Sequence, residues 1–215
     1  MTSHLLGLRP ASDGDRLNDD MTDHPVCPVT GEVQEAVYDL AAVARAVDRD
    51  ALRHLPRGMW RWAALLPVRD EANIVTMSEG DTPLEHVRRL GEVLGLSRFH
   101  IKDESRNPTG SFKDRGASVT ASKMKEVSAK GMILASSGNA ASSFSAYAAR
   151  AGVPFTGFLR RETSSVHRLQ TMIYGARVFV VEGTMVEGAR LAHALESKFG
   201  LFHFSQPYNL YRVVG

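Results

Sequence analysis

Hydrophobic and polar positions follow two alternating periods in the second half of the chain. From about Arg98 onward, short apolar runs of strand length alternate with longer segments whose apolar residues recur every three or four positions. The predicted strands are RFHIKDE, MILASS, PFTGFLR, ARVFVVEG and LFHFSQ. The predicted helices are FKDRGASVTASKMKEVSAKG, NAASSFSAYAARAG, SSVHRLQTMIYG and MVEGARLAHALESKFG, each closing at a glycine. This order predicts βαβ units, and hence an α/β fold with parallel sheets covered by helices on both faces.

The first half of the chain is less regular. Residues 1–24 combine Asp, Gly, Ser and Asn with few large apolar side chains, which predicts a disordered lead. The segment VYDLAAVARAVDRDALRHL has apolar residues at helical spacing. The segment PRGMWRWAALLPV carries both tryptophans and is predicted to pack as a short helix or anchor against a larger unit.

Composition excludes several classes of protein. The 215 residues are 43% hydrophobic and 23% charged, with a net charge of +2 and basic residues spread along the chain, so a nucleic-acid binder is not expected. No apolar run has the length of a membrane span, and the N-terminus lacks the pattern of a secretory signal. The single cysteine, Cys27, excludes an intrachain disulfide and favours a reducing compartment. The expected location is the cytoplasm.

The loop NPTGSFKDRG places Lys113 where a strand gives way to a helix. A lysine amine there can form a Schiff base with a carbonyl, provided that its position is fixed and that polar groups surround it. Gly110 supplies a permissive backbone, and Thr109 and Ser111 supply hydroxyl groups. The alternative is an ordinary helix start, with Ser111 as N-cap and Asp114 as a first-turn charge. A P-loop is excluded because its Gly-Lys-Ser/Thr order is absent.

Two further segments offer polar groups at turns. SSGNAASS, residues 136–143, places small hydroxyls, Gly138 and Asn139 at the start of a helix, where backbone N–H groups can receive an anion. An ordinary helix cap followed by close packing explains the same residues. EGDTPL, residues 79–84, reads by itself as a turn.

Three segments, taken together and in order, resemble the signature series of fold-type II pyridoxal-phosphate enzymes, and within that group the threonine synthase family. The segments are GDTPL, IKDESRNPTGSFKDRG and SSGNAASSFSAYAARAG. The resemblance runs from about Cys27 to the C-terminus and is strongest from Glu79 to Gly152. Serine and threonine dehydratases and cysteine synthases share the layout. A tryptophan-synthase-β-like fold is therefore expected.

The resemblance implies a role for each matching residue. Lys113 would carry pyridoxal 5'-phosphate and shuttle protons on the substrate, Phe112 would stack near the cofactor ring, and Asn139 would bond its phenolic oxygen. The loop around Gly138 would hold the substrate carboxylate, and Arg212 the phosphate of O-phosphohomoserine. The implied substrate-binding residues are Thr82, Ser111, Ser136, Ser137, Gly138, Ala140 and Arg212, of which Thr82 and Ser111 would lie near the substrate's phosphate.

The implied reaction converts O-phosphohomoserine and water to threonine and phosphate, which is the work of a carbon–oxygen lyase acting on phosphates. A serine/threonine dehydratase, a cysteine synthase and a non-catalytic remnant remain alternatives. The implied domains are the N-terminal part of a large domain at 25–115, a small α/β domain at 116–205, and the start of a return to the large domain at 206–215.

The sequence departs from the family pattern in two places. Relatives often carry paired cysteines before YDL, but Thr30 stands where a second cysteine is expected, so no zinc site is predicted there and none elsewhere in the chain. His24 is expected to be an exposed loop residue. No segment matches the family's glycine-rich phosphate loop or the residue that faces the pyridine nitrogen. We therefore expect a truncated or split relative, weakly active alone, whose partners would be a second copy or a complementing C-terminal fragment.

Overall fold

A parallel four-stranded sheet forms the centre of the second half of the chain in the computed structural model, which describes residues 2–22, 26–204 and 209–215. The elements of the first half are β1 (Leu5–Pro10), β2 (Gln34–Tyr38), α1 (Leu40–Ala46), α2 (Ala51–His54), β3 (Leu84–His86), α3 (Arg88–Leu94) and β4 (His100–Lys102), with short 3-10 helices at Met59–Leu65, Glu71–Asn73 and Glu104–Arg106. The elements of the second half are α4 (Lys113–Glu126), β5 (Met132–Ser136), α5 (Asn139–Ala151), β6 (Phe155–Arg160), α6 (Ser165–Ile173), β7 (Arg177–Val181), α7 (Met185–Phe199), β8 (Phe202–His203) and α8 (Leu210–Val214).

The strands of the central sheet lie in the order β7-β6-β5-β8, and every neighbouring pair is parallel. Successive residues of β5 point to opposite faces, as a strand requires. Leu134 joins a core cluster with Phe144 of α5, whereas Ile133 joins a second cluster with Ala192 of α7. Helices thus cover both faces of the sheet, and the predicted α/β class is confirmed.

The N-terminal segment is not the disordered lead that its composition predicts. Residues 5–10 form β1, which pairs antiparallel with β2, and Leu5 and Leu8 are buried. Asp20 is also buried, with its carboxylate 2.6 Å from both Arg69 and Lys123. The prediction failed because the few apolar side chains of this segment are buried by residues far away in sequence, which local composition does not reveal.

Several predicted elements have other limits or partners. RFHIKDE contributes only the short strand β4, which pairs antiparallel with β3 and lies outside the parallel sheet. The predicted helix 112–131 ends at Glu126, and Gly131 instead precedes β5, where its carbonyl accepts from the Phe202 N–H at 2.8 Å. Residues 37 and 38 belong to β2 and not to a helix. His24 and residues 205–208 lie outside the described part of the chain.

Candidate active site

Lys113 is the first residue of α4, and the loop before it is held by a buried carboxylate. Asp114 accepts from the Thr109 N–H at 2.7 Å and from the Thr109 hydroxyl at 2.5 Å, and burial raises the pKa of Asp114 above its usual value. Gly110 adopts φ +80, which allows the chain to turn between Thr109 and Asp114. Ser111 accepts from the Lys113 N–H at 3.2 Å. The sequence thus fixes the lysine at a helix start through its own neighbours.

The Lys113 side chain borders a cavity of about 550 Å³. This cavity lies where the starts of α4, α5 and α7 meet α8. Its lining residues are Lys113, Ala135, Ser136, Ser137, Gly138, Asn139, Ala140, His167, Met185, Val186, Ala189 and Arg212. The structure therefore brings the lysine loop, the SSGNA segment and the C-terminal arginine together around one space.

The turn from β5 into α5 forms one wall of the cavity. Gly138 has φ +154, and a Cβ atom on it would lie 2.7 Å from Cδ2 of His167. The Ser136 hydroxyl accepts from the N–H groups of Gly138 and Ala141, each at 3.2 Å, and so shapes the turn itself. The N-cap residue of α5, Gly138, offers no side-chain acceptor of its own, so Ser136 is the side chain that bonds this helix start in the described part of the chain. Asn139 and Ala140, the first two residues of α5, line the cavity, where an anion can accept from N–H groups at a helix start.

Arg212 brings a second positive charge to the cavity. Its Nη1 donates to the Phe204 carbonyl at 3.2 Å, and its guanidinium lies 5.5 Å from the centre of the Phe144 ring. Its buried Nε has no hydrogen-bond partner among the described residues. Burial lowers the pKa of Lys113, and the nearby charge of Arg212 lowers it further. The site thus combines an amine that loses its proton more easily than usual with a preference for anions.

Three predicted residues lie outside this lining. Phe112 is 55% exposed, and its ring centre lies 4.2 Å from the Nζ of Lys113. Thr82 is buried and donates to Oε1 of Glu104 at 2.7 Å. Ser111 is also buried, and its hydroxyl accepts from the Lys113 N–H at the start of α4. Seven of the ten predicted site residues are therefore gathered around the cavity, and these three are not among its lining residues.

The EGDTPL turn contacts α5, a helix of the site, through Glu79. This buried carboxylate accepts from the Trp60 indole N–H at 3.0 Å and from the Tyr147 hydroxyl at 2.6 Å. Burial, followed by the charge of Glu79, raises the pKa of Tyr147. Gly80 adopts φ +90, and a Cβ there would lie 2.7 Å from the Met59 nitrogen. The turn is therefore tied both to the tryptophan segment and to α5.

His167 lines the cavity but was not identified from the sequence. It lies on α6 against Gly138, and its buried Nδ1 has no hydrogen-bond partner among the described residues. Gln170 of the same helix donates to the Thr109 carbonyl at 3.1 Å, which holds α6 against the lysine loop. A single histidine in a helical segment carries no motif, so only the packing of α6 reveals its place.

These features place a lysine of lowered pKa, an arginine and a helix start around one cavity of an α/β fold. The chain belongs to the pyridoxal-phosphate-dependent enzyme family, whose model matches residues 75–215. It is 35% identical over 186 residues to threonine synthase of Methanocaldococcus jannaschii, covering 86% of this chain and 46% of that protein. It is 32% identical over 187 residues to threonine synthase of Methanosarcina acetivorans, covering 86% and 45%.

A solved structure gives the same fold. The processed form of threonine deaminase isoform 2 from Solanum lycopersicum matches with a TM-score of 0.56 and 23% identity, covering 79% of this chain and 46% of that one. The chain thus resembles threonine synthases in sequence and is a fold-type II protein. It spans about half the length of the curated relatives it matches. No helix in the described ranges has the length and hydropathy needed to cross a membrane.

The cavity fits pyridoxal phosphate by its donor groups. The amine that can react with the cofactor's aldehyde is the half-buried Lys113, whose pKa is lowered. The Nε of Arg212 and the Nδ1 of His167 are buried polar atoms that have no partner in the described chain. The start of α5, at Asn139 and Ala140, adds N–H groups for an anion. Lys113 and Asn139 are the cavity residues that would hold the cofactor, with Phe112 next to the lysine.

Proposed function

We propose that the chain provides the lysine-bearing half of a threonine-synthase-type lyase, which converts O-phosphohomoserine and water to threonine and phosphate. The observation that carries this proposal is the position of Lys113 and Arg212 on one cavity together with the start of α5. The sequence likeness to threonine synthases supports the same substrate.

Pyridoxal phosphate, when bound, acts as an electron sink for a carbanion next to the substrate's amino group. Lys113 Nζ would take the proton from the substrate's α-carbon. The same amine would return protons to the carbons of the substrate's side chain. The lowered pKa of Lys113 suits this work, because more of the amine is unprotonated near neutral pH than in an ordinary lysine. The partly buried Met185 and Ala189 form an apolar part of the lining, which would limit the access of water.

The substrate's two anionic ends would be bound by different parts of the cavity. The turn formed by Ser136, Ser137, Gly138 and Ala140 would hold the carboxylate through N–H groups at the start of α5. Arg212 would bind the phosphate, since a guanidinium matches phosphate oxygens in pairs. Thr82 and Ser111, which lie outside the cavity lining, would support the phosphate end.

The substrate's phosphate separates this proposal from the dehydratase and cysteine synthase alternatives. The chain is loaded with pyridoxal phosphate, and the visible absorbance of the cofactor is followed while O-phosphohomoserine or serine is added. We expect O-phosphohomoserine to perturb the spectrum at lower concentration than serine, and Arg212→Met to remove that preference. A stronger response to serine would favour a dehydratase.

A second experiment tests whether the chain is catalytically active alone or needs a C-terminal half. Release of phosphate from O-phosphohomoserine is measured for the chain alone and after addition of the C-terminal half of a homologous threonine synthase. We expect weak activity alone and stimulation by the added half. If neither preparation releases phosphate although the cofactor binds, the chain is a non-catalytic remnant.

A further inference from the structure

A second cluster of side chains that can bind a metal ion lies at α7 and β8 of the central four-stranded sheet. His193 and Glu196 lie one turn apart on α7, and His203 lies on the edge strand β8. The Nδ1 atoms of His193 and His203 lie 2.9 and 3.3 Å from Oε2 of Glu196. The candidate ligand atoms of all three residues lie within 4.8 Å of one another.

The three residues are of the types that bind zinc and similar metals. Imidazole nitrogen and carboxylate oxygen ligate zinc at about 2.0–2.2 Å, so two tetrahedral ligand atoms are separated by about 3.3 Å. The two nitrogen–oxygen distances in the cluster are close to that separation. His203 and Glu196 are buried, whereas the side chain of His193 is 75% exposed. The exposed histidine can adjust its rotamer, and its side of the cluster is open to an ion and to a water ligand.

An ion pair between neighbouring helix residues would explain only part of this arrangement. His193 and Glu196 have the spacing of an ordinary surface pair. A third ligand, the buried His203 of a different element, also lies next to the same carboxylate oxygen. Such convergence of three ligands from two elements is what a metal site needs.

We propose that His193, Glu196 and His203 bind a divalent transition-metal ion of the zinc class. An imidazole binds the ion through an unprotonated Nδ1, so each bound neutral ring carries its proton at Nε2, and any further ring proton is released to solvent. The ion joins α7 to β8 and leaves a coordination position for water.

The metal site also has a physical link to the cavity. Phe204 follows His203 directly, its ring stacks on Phe144 with centres 4.3 Å apart, and its carbonyl accepts from Arg212. An ion that fixes His203 therefore limits the movement of the backbone group that holds Arg212.

Metal titration of the purified 215-residue chain tests the proposal. The chain is treated with chelator, desalted and titrated with Zn²⁺ against a chromophoric competitor, and Co²⁺ serves as a spectroscopic probe of nitrogen and oxygen ligands. We expect one zinc equivalent, with affinity lowered at least ~10-fold by His193→Ala and by Glu196→Gln. His54→Ala, at an exposed histidine on α2, is the matched control and is expected to keep the affinity.

Two more variants separate this site from other possibilities. His86 and His100 stack with ring centres 4.8 Å apart and could also attract a metal, so His86→Ala is expected to leave the zinc equivalent intact. Lys113→Ala is also expected to keep it, which makes the result independent of the proposed reaction. Circular dichroism verifies the fold of each variant. The absence of saturable zinc binding, its survival in His193→Ala, or its loss in His86→Ala would overturn the proposal.

Discussion

Lys123 Nζ lies 2.6 Å from Oδ2 of Asp20, and both side chains are buried although 103 positions separate them. The same amine lies 2.7 Å from Glu126, and Arg69 adds a second ion pair to Asp20. Burial acts to raise the pKa of Asp20, but hydrogen bonds from Arg69 and Lys123 outweigh it and hold that pKa below its usual value. This network attaches the N-terminal segment to α4, the helix that begins with Lys113.

Removing one partner of this network is expected to be costly. Lys123→Met leaves the buried Asp20 carboxylate without its amine and is expected to lower the free energy of unfolding by about 3 kcal/mol in denaturant titrations. Asp15→Asn, at an exposed carboxylate of the same segment, is the control and should change it by less than ~0.5 kcal/mol. The double variant Asp20→Asn with Lys123→Met is expected to be less destabilised than the sum of the single variants. Strict additivity would show that the pair is not coupled.

The ionised Glu104 carboxylate is expected to make the free energy of unfolding depend on pH in the acid range. Hydrogen bonds from Arg115 first, then from Thr82 and Asn107, lower the pKa of Glu104 from 4.5 to about 2. Because the folded-state pKa lies below the unfolded one, the stabilisation is complete above about pH 4.5 and is lost as the pH falls toward 2. Glu104→Gln should cost about 2 kcal/mol at pH 7 and flatten the stability curve between those limits.

A surface ion pair provides the comparison. Arg160 and Glu162 lie 3.0 Å apart, with the Glu162 side chain 65% exposed. Glu162→Gln is therefore expected to cost less than ~1 kcal/mol at pH 7. If Glu104→Gln and Glu162→Gln lowered the free energy of unfolding equally, the Glu104 ion pair would stabilise the fold no more than an exposed ion pair does.

The charge of Arg212 is expected to control the reactivity of Lys113. Burial lowers the pKa of Lys113, and the positive charge of Arg212 adds to that effect. Arg212→Met should raise the pKa of Lys113 toward its usual range, whereas Arg212→Lys should keep it low. The measurement is the pH dependence of Lys113 labelling by an amine reagent, read by mass spectrometry. An unchanged midpoint in Arg212→Met would contradict this coupling.

Gly138 is expected to tolerate no side chain. Gly138→Ala introduces strain at φ +154 and places a Cβ 2.7 Å from the His167 ring, so a loss of about 2 kcal/mol and weaker cofactor binding are expected. Gly152 has φ +73 with open space around its Cβ position, so Gly152→Ala measures backbone strain alone. Adding His167→Ala to Gly138→Ala should recover the part of the loss that is due to the clash. No recovery would show that backbone strain accounts for the whole effect.

The sequence predicted the parts of the molecule that depend on local patterns. The alternation of strands and helices around β5, and the position of Lys113 at a helix start, follow from residues close together in the chain. The place of β1 could not be predicted, because Leu5 and Leu8 are buried by tertiary contacts. His167 was missed for the same reason, since only the packing of α6 brings it to Gly138.

The central claim is that Lys113 is the lysine that binds pyridoxal phosphate. The chain has six lysines, at positions 102, 113, 123, 125, 130 and 198, and Lys113 is the lysine that lines the cavity. The chain is incubated with pyridoxal phosphate, reduced with borohydride to fix the link covalently, and digested for mass spectrometry. Lys130→Arg serves as the control for Lys113→Arg.

We predict that the cofactor's mass is found on the peptide containing Lys113, in excess over every other lysine, and that Lys113→Arg abolishes this excess while Lys130→Arg does not. Labelling spread evenly over the six lysines, or unchanged in Lys113→Arg, would contradict the account.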